Sequence, residues 1–270
     1  MNRIAAVFER LRPAGRAFVP FVVAGDPDLR TTEQAAQTLV RAGADLLELG
    51  VPFSDPIADG PVNQRAAQRA LSHGVTMRDV LDLARRLRPG LGVPVVLLSY
   101  YNPILRHGPG TFCADAAAAG IDGVVVPDLP PEEAGELIAA ARAVALDTIF
   151  LLAPTSTDER IRLVAERSTG FIYCVSLTGV TGVRERLSGD LGGLVARIRA
   201  LTATPVCVGF GVSTPAQAQE VARVADGVIV GSALVALLEQ PDDRLGRLER
   251  FAGELKRAIN TVQIEEGRRS

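Results

Sequence analysis

Eight short apolar runs, separated by stretches with helical spacing, constrain the fold of this chain more than any other feature. They lie at Phe18–Val23, Asp45–Leu49, Val93–Ser99, Ile121–Val126, Asp147–Leu152, Phe171–Val175, Pro205–Gly209 and Asp226–Val230. Apolar strands that alternate with helices are typical of a parallel sheet buried on both faces. Eight such units in 270 residues predict an α/β fold, a single-domain (β/α)8 TIM barrel, with a doubly wound open sheet as the alternative.

The stretches between the runs predict helices. Four of them are Thr32–Ala42, Met77–Arg88, Pro131–Ala143 and Pro215–Ala222. Thr214 places a hydroxyl before a first-turn proline, Pro215, which is typical of a helix start. Residues 1–12 predict an extra N-terminal helix that closes the lower end of the barrel, and the polar residues 264–270 predict a frayed tail. No linker divides the chain, so we expect one domain.

The composition argues against several classes of protein. The net charge of −2 argues against nucleic acid or an anionic membrane as a partner. No apolar run approaches the roughly 18 residues of a membrane span, and the N-terminal residues lack a secretory core, so we expect a cytoplasmic protein. The widely spaced Cys113, Cys174 and Cys207 are expected to be reduced packing residues.

A carboxylate stands near the end of the second apolar run. Burial of the Glu48 charge there would cost folding free energy unless the side chain is paired or takes part in chemistry. If Leu47 and Leu49 face the surrounding helices, Glu48 faces the barrel interior. The same alternation turns Tyr173 inward. Burial raises the pKa of a carboxyl group, which suits proton exchange. Glu48 is therefore a candidate acid/base, and a structural acid paired with a buried arginine is the alternative.

The loop after this run carries a second candidate, Asp59. An aspartate before glycine is typical of a turn, but prolines at positions 52, 56 and 61 hold this segment more firmly than a turn requires. These residues alone are compatible with either a turn-forming role or a catalytic role for Asp59. The long loops Gly50–Gln64 and Ser176–Gly192 both follow strands, so we expect both on the catalytic face of the barrel.

Loops rich in glycine, serine and threonine follow the last three runs. They are Ser176–Gly182, Gly209–Ser213 and Gly231–Ala233. Such loops let backbone N–H groups approach an anion, and barrel enzymes often hold phosphate at the ends of strands seven and eight. The sequence therefore predicts a phosphate site.

Two absences narrow the chemistry. Lys256 is the only lysine and lies in the C-terminal helical stretch, so a Schiff base on this chain lacks its nucleophile. His73 and His107 lie neither at a strand end nor in metal-ligand spacing, so we expect no metal. Acid/base chemistry by carboxylates on a small phosphorylated substrate remains.

The segment LELGVPFSDPIADGP, Leu47–Pro61, closely resembles the signature of the tryptophan synthase alpha chain family. Supporting segments, in order, are Pro20-Phe21, Gly25–Pro27, Tyr100–Ile104, Val126–Pro130, Gly179–Gly182, Gly209–Gly211 and Gly231–Ala233. The resemblance implies a lyase of tryptophan biosynthesis that cleaves indole-3-glycerol phosphate to indole and glyceraldehyde 3-phosphate by a retro-aldol reaction.

The resemblance also implies roles for individual residues. Glu48 would be the general acid/base, Asp59 would stabilise the cationic indolenine through the indole N–H, and Tyr173 would line the site beside them. Thr181 would tie the loop after the sixth run to Asp59. The phosphate would be held by Gly182, Phe210, Gly211, Gly231 and Ser232. The indole ring would lie among Phe21, Leu98 and Tyr100.

One residue departs from the family pattern. Asn63 stands where the family usually has an apolar residue, often isoleucine, near the substrate. A buried amide there needs hydrogen-bond partners. The departure bears on the polarity of the pocket and leaves the fold unaffected.

A partner is implied as well. Family members pair with a beta chain that carries pyridoxal phosphate and receives indole, in a heterotetramer of two alpha and two beta chains. The interface would include Pro52, Asp55, Asn102, Pro103 and Asp128. No cofactor is expected on this chain. A stand-alone indole-releasing lyase of specialised metabolism and a weakly catalytic regulatory subunit that activates a beta partner are the alternatives.

Overall fold

A parallel β-barrel forms the centre of the protein in a computed structural model, which describes residues 2–175, 191–209 and 211–267. The strands are β1 (Ala17–Val23), β2 (Leu47–Gly50), β3 (Val95–Leu98), β4 (Gly123–Val125), β5 (Asp147–Ile149), β6 (Leu151–Leu152), β7 (Ile172–Val175), β8 (Val206–Gly209) and β9 (Gly227–Val230). Neighbours pair in parallel in the order β5-β4-β3-β2-β1-β9-β8-β7-β6.

The two ends of this sheet are parts of one strand. Only Phe150 separates β5 from β6, because its N–H donates to the Ser168 hydroxyl, at 3.3 Å, rather than to a neighbouring strand. The predicted eight strands therefore account for all nine segments. The circular order of consecutive strands confirms the TIM barrel and excludes the doubly wound sheet.

Helices surround the barrel. Those of the described chain are α1 (Arg3–Leu11), α2 (Leu29–Arg41), α3 (Pro61–Ser72), α4 (Met77–Leu91), α5 (Tyr101–His107), α6 (Pro109–Ala118), α7 (Gly135–Ala143), α8 (Asp158–Arg167), α9 (Leu191–Leu201), α10 (Pro215–Ala222), α11 (Ser232–Glu239) and α12 (Arg244–Gly267). α10 has its predicted bounds, and Thr214 caps it. α7 begins four residues later than predicted, because residues 131–134 form turns. The predicted fraying of residues 264–270 stays a prediction.

The N-terminal helix closes the lower end of the barrel, as the sequence predicts. Ile4, Val7 and Phe8 of α1 belong to the same buried cluster as the residues that point into the barrel. The Phe8 ring lies 6.1 Å from the ring of Phe171, at the start of β7. With this end filled by apolar side chains, the opposite end is left for a ligand.

Side chains alternate along β2 and β7 as predicted. Leu47 and Leu49 pack in the outer layer against helices, whereas Leu46 lies in the interior cluster. Tyr173 lies in the same interior cluster. Because Glu48 follows Leu47, it is directed to the inside and is only 2% exposed.

The lysine, the histidines and the cysteines, for which the sequence predicts no catalytic role, are found in ion pairs, at the surface or in the core. The Nζ of Lys256 lies 2.6 Å from Oδ2 of Asp45, at the lower end of the barrel. His73 is exposed, and Nε2 of His107 lies 2.8 Å from Oδ2 of Asp115. The three cysteines are buried and free.

Candidate active site

A narrow cleft lies at the carboxyl ends of β1, β2 and β3. Its walls include Phe21, Gly50, Asp59, Asn63, Leu98 and Tyr100. Four of these are predicted site residues, so the structure brings together the proposed indole slot and one of the two proposed acids. Carboxyl ends of parallel strands are the usual position of an active site in this fold.

Small residues around Phe21 set the shape of the slot. A Cβ atom on Gly50 would lie 2.7 Å from the Phe21 ring, and one on Gly231 would lie 3.2 Å from it. Glycine at both positions therefore lets the ring lie between β2 and the start of α11. Gly231 is the N-cap residue of α11 and provides no side-chain cap. The first amides of α11 thus lie close to the slot, where the dipole of the helix favours an anion.

Glu48 is a buried acid that has no hydrogen-bond partner in the described part of the chain. Neither of its carboxyl oxygens contacts a donor among the described residues. Burial raises the pKa of Glu48 from its ordinary value of 4.5 to about 8, and the negative charge of Asp59 adds to this effect. The carboxyl group is therefore protonated at neutral pH. Within the described chain no arginine pairs with it, so the alternative of a paired structural acid is not supported.

Asp59 is held by two donors. Its Oδ2 accepts a hydrogen bond from the hydroxyl of Tyr100 at 3.0 Å, and its Oδ1 accepts one from Nδ2 of Asn63 at 3.3 Å. Burial raises the pKa of Asp59, and these two hydrogen bonds oppose the rise. The side chain bonds to residues outside its own turn. A role as a turn former therefore does not explain it.

The hydroxyl of Tyr100 makes two hydrogen bonds that were not predicted from the sequence. Its ring stacks on Phe53, with ring centroids 5.1 Å apart, and it is only 2% exposed. Its hydroxyl accepts the N–H of Ala58 at 2.9 Å and donates to Asp59. The sequence does contain a signal for this role. A tyrosine at a buried position, unlike a phenylalanine, needs a hydrogen-bond partner for its hydroxyl.

Tyr173 lies in the barrel interior, 4% exposed. Burial raises the pKa of its hydroxyl, and the nearby charge of Glu48 raises it further. A Cβ atom on Gly209 would lie 2.6 Å from the phenol oxygen, so glycine gives this ring its space. The predicted neighbourhood of Glu48 and Tyr173 is therefore present.

The other predicted site residues lie around the same face. Gly211 is exposed after β8, with a φ of +82°, and Ser232 begins α11. Thr181, Gly182 and Phe210 lie outside the described residues, so their roles stay predictions. Of the proposed interface residues, Asp55, Asn102 and Asp128 are exposed. Pro103 is half-buried, and Pro52 is buried.

The family model of the tryptophan synthase alpha chain matches residues 8–260. The chain belongs to this family. An alpha chain from Gloeobacter violaceus is 53% identical over 268 residues, which cover 98% of this chain and 97% of the relative. One from Geobacter sulfurreducens is 53% identical over 262 residues, with coverage of 96% and 99%.

Solved structures agree with this family membership. Tryptophan synthase from Mycobacterium tuberculosis superposes with a TM-score of 0.88 at 42% identity, covering 96% of this chain and 98% of that one. Tryptophan synthase subunit alpha from Legionella pneumophila gives a TM-score of 0.89 at 38% identity, with coverage of 97% and 99%. The resemblance seen in the sequence is confirmed: the chain is an alpha-chain lyase of tryptophan biosynthesis, a family that cleaves indole-3-glycerol phosphate.

The described part of the chain lacks two further features. It contains no group of three His, Cys, Asp or Glu side chains placed to hold a metal ion. None of its helices is both long enough and apolar enough to cross a membrane.

Proposed function

We propose that this chain cleaves indole-3-glycerol phosphate with Glu48 as the acid/base and Asp59 as the group that stabilises positive charge on the ring. The observation that carries the proposal is the burial of Glu48 without a hydrogen-bond partner among the described residues, where burial and the charge of Asp59 raise its pKa. Groups with strongly shifted pKa values in a cleft are typical of acid/base catalysis.

The reaction begins with proton transfer to the ring. Glu48 donates its proton to C3 of the indole, which produces a cationic indolenine. The Asp59 carboxylate accepts a hydrogen bond from the ring N–H and stabilises this charge. The Glu48 carboxylate then removes the proton from the hydroxyl next to C3, the carbon–carbon bond breaks, and its electron pair returns to the ring. Indole and the aldehyde are formed, and Glu48 is protonated again.

The cleft provides the binding groups. Phe21, Leu98 and the ring of Tyr100 offer flat apolar surface to the indole, with Tyr173 near the reacting carbon. The phosphate would lie at the start of α11, at Gly231 and Ser232. From the family pattern, Thr181, Gly182, Phe210 and Gly211 would complete its site.

A beta chain carrying pyridoxal phosphate is the partner that we propose, in an α2β2 assembly in the cytoplasm. Solved relatives that superpose on this chain are tryptophan synthases. Asp55 and Asp128 are exposed in loops that follow strands, and Asn102 is exposed in the first turn of α5, on the face of the cleft. Ile57, in the same loop as Asp55, is 83% exposed. It lines a surface groove together with Phe53, Pro56 and Leu71, and an exposed apolar patch of this kind favours a protein contact there.

Indole release from indole-3-glycerol phosphate tests the proposal. The purified chain should release indole slowly alone and faster when a beta chain is added. Rapid release that the beta chain does not change would instead favour a stand-alone lyase. No release in either condition would contradict catalysis by this chain and favour a regulatory subunit.

A further inference from the structure

Asn63 lies in the first turn of α3 and lines the cleft. Its side chain has two polar atoms in different situations. Nδ2 donates to Oδ1 of Asp59 at 3.3 Å. Oδ1 is buried and has no hydrogen-bond partner among the described residues. An amide satisfied on one side only, in the wall of a ligand site, indicates that the other side receives a partner from the ligand.

The carboxylate of Asp59 fixes which way this amide points. Its nitrogen, Nδ2, donates to Oδ1 of Asp59. The carbonyl oxygen of Asn63 is therefore turned away from Asp59. Tyr100 already donates to the other carboxylate oxygen, so the orientation does not depend on the substrate.

We propose that Asn63 is a substrate-binding residue, whose Oδ1 accepts a hydrogen bond from a hydroxyl of the bound substrate while Nδ2 holds Asp59. This inference rests on the proposed function, because it takes the substrate to be an indole with a phosphorylated glycerol chain. In the proposed mechanism the ring N–H donates to Asp59, so the hydroxyls of the glycerol chain are the donors that are left for Oδ1.

A site with a buried acceptor discriminates against ligands that lack the matching donor. Binding of such a ligand leaves the acceptor without a partner and excludes the water that could have served it. Asn63 should therefore favour the natural substrate over close analogues without that donor. A leucine of similar size at position 63 should lose this preference and still bind the apolar part of the ligand.

Binding measured by calorimetry tests the inference. Three ligands are compared in the Glu48→Gln chain, which should bind without turnover: indole-3-glycerol phosphate, its propyl phosphate counterpart without the glycerol hydroxyls, and the benzofuran form of that counterpart, which lacks the ring N–H. Adding Asn63→Leu should lower the glycerol-to-propyl affinity ratio by about three- to tenfold. The indole-to-benzofuran ratio reports the contact of the ring N–H with Asp59, which loses its hydrogen bond from Nδ2 in this variant. A fall confined to the indole-to-benzofuran ratio would therefore overturn the inference.

Two further variants keep the result interpretable. Gln68→Leu makes a comparable change at an exposed position of the same helix and should leave both ratios unchanged. Asn63→Ala should lower the same ratio as Asn63→Leu, and it replaces the leucine variant if thermal unfolding shows that one to be misfolded. A glycerol-to-propyl ratio that changes by less than about twofold in the folded variants would overturn the inference. Failure of all three ligands to bind the Glu48→Gln chain would overturn the proposed function itself.

Discussion

Glu48→Gln is expected to lower the turnover number for indole-3-glycerol phosphate cleavage by about 10²–10⁴-fold. Glutamine keeps the shape of the side chain but cannot give a proton to indole C3 or take one from the hydroxyl. Because Glu48 has no hydrogen-bond partner among the described residues, the substitution breaks no contact recorded there. Steady-state rates of indole release, with and without a beta chain, measure the effect.

The control for this variant is the same chemical change at a distant site. Glu249→Gln alters an exposed residue of α12 and should leave turnover unchanged. The dissociation constant of an unreactive substrate analogue should also be similar in the wild-type and Glu48→Gln chains, since the loss lies in proton transfer. Near-normal turnover in a folded Glu48→Gln chain would remove Glu48 from the mechanism.

Asp59→Asn is expected to lower turnover by about 10²–10³-fold, because a neutral amide no longer stabilises the cationic ring. The new amide nitrogen would also face one of the two donors that now bond to Asp59, the hydroxyl of Tyr100 on Oδ2 or Nδ2 of Asn63 on Oδ1. The negative charge of Asp59 raises the pKa of Glu48, so the pH at which Glu48 loses its proton should move down in this variant. Rates measured across a pH series report both effects.

Asp82→Asn is the matched control, since Asp82 belongs to an exposed ion pair with Arg85 on α4 and should not affect the rate. An unchanged rate in Asp59→Asn would return Asp59 to the role of a turn former. A reduced rate with an unchanged pH profile would separate stabilisation of the ring from the electrostatic effect on Glu48.

The parts of the structure that depend on the alternation of side chains along a strand could be predicted from the sequence. Strand positions, the barrel and the inward direction of Glu48 and Tyr173 all follow from alternation along short apolar runs. The break at Phe150 could not be predicted, because the run from Asp147 to Leu152 has no breaker. It depends on a hydroxyl, Ser168, that comes close only in the folded barrel.

The contacts within the site were predicted less well than its location. The family signature placed Asp59 and Tyr100 in one site, yet the hydrogen bond between them depends on the path of the loop between β2 and α3. The close approach of Phe21 to Gly50 depends on the pairing of β1 with β2 in three dimensions. Neither contact has a signature in sequence spacing.

We expect Glu48 to hold a proton at neutral pH and to lose it in the mildly alkaline range, and the proposed mechanism depends on this proton. Infrared difference spectra between the wild-type and Glu48→Gln chains, recorded from about pH 4 to about pH 10, isolate the carbonyl band of this one protonated carboxyl group. The raised pKa predicts a band that is present at neutral pH and disappears with a midpoint near the value of about 8. A band that is already lost near the ordinary value of 4.5 would contradict it.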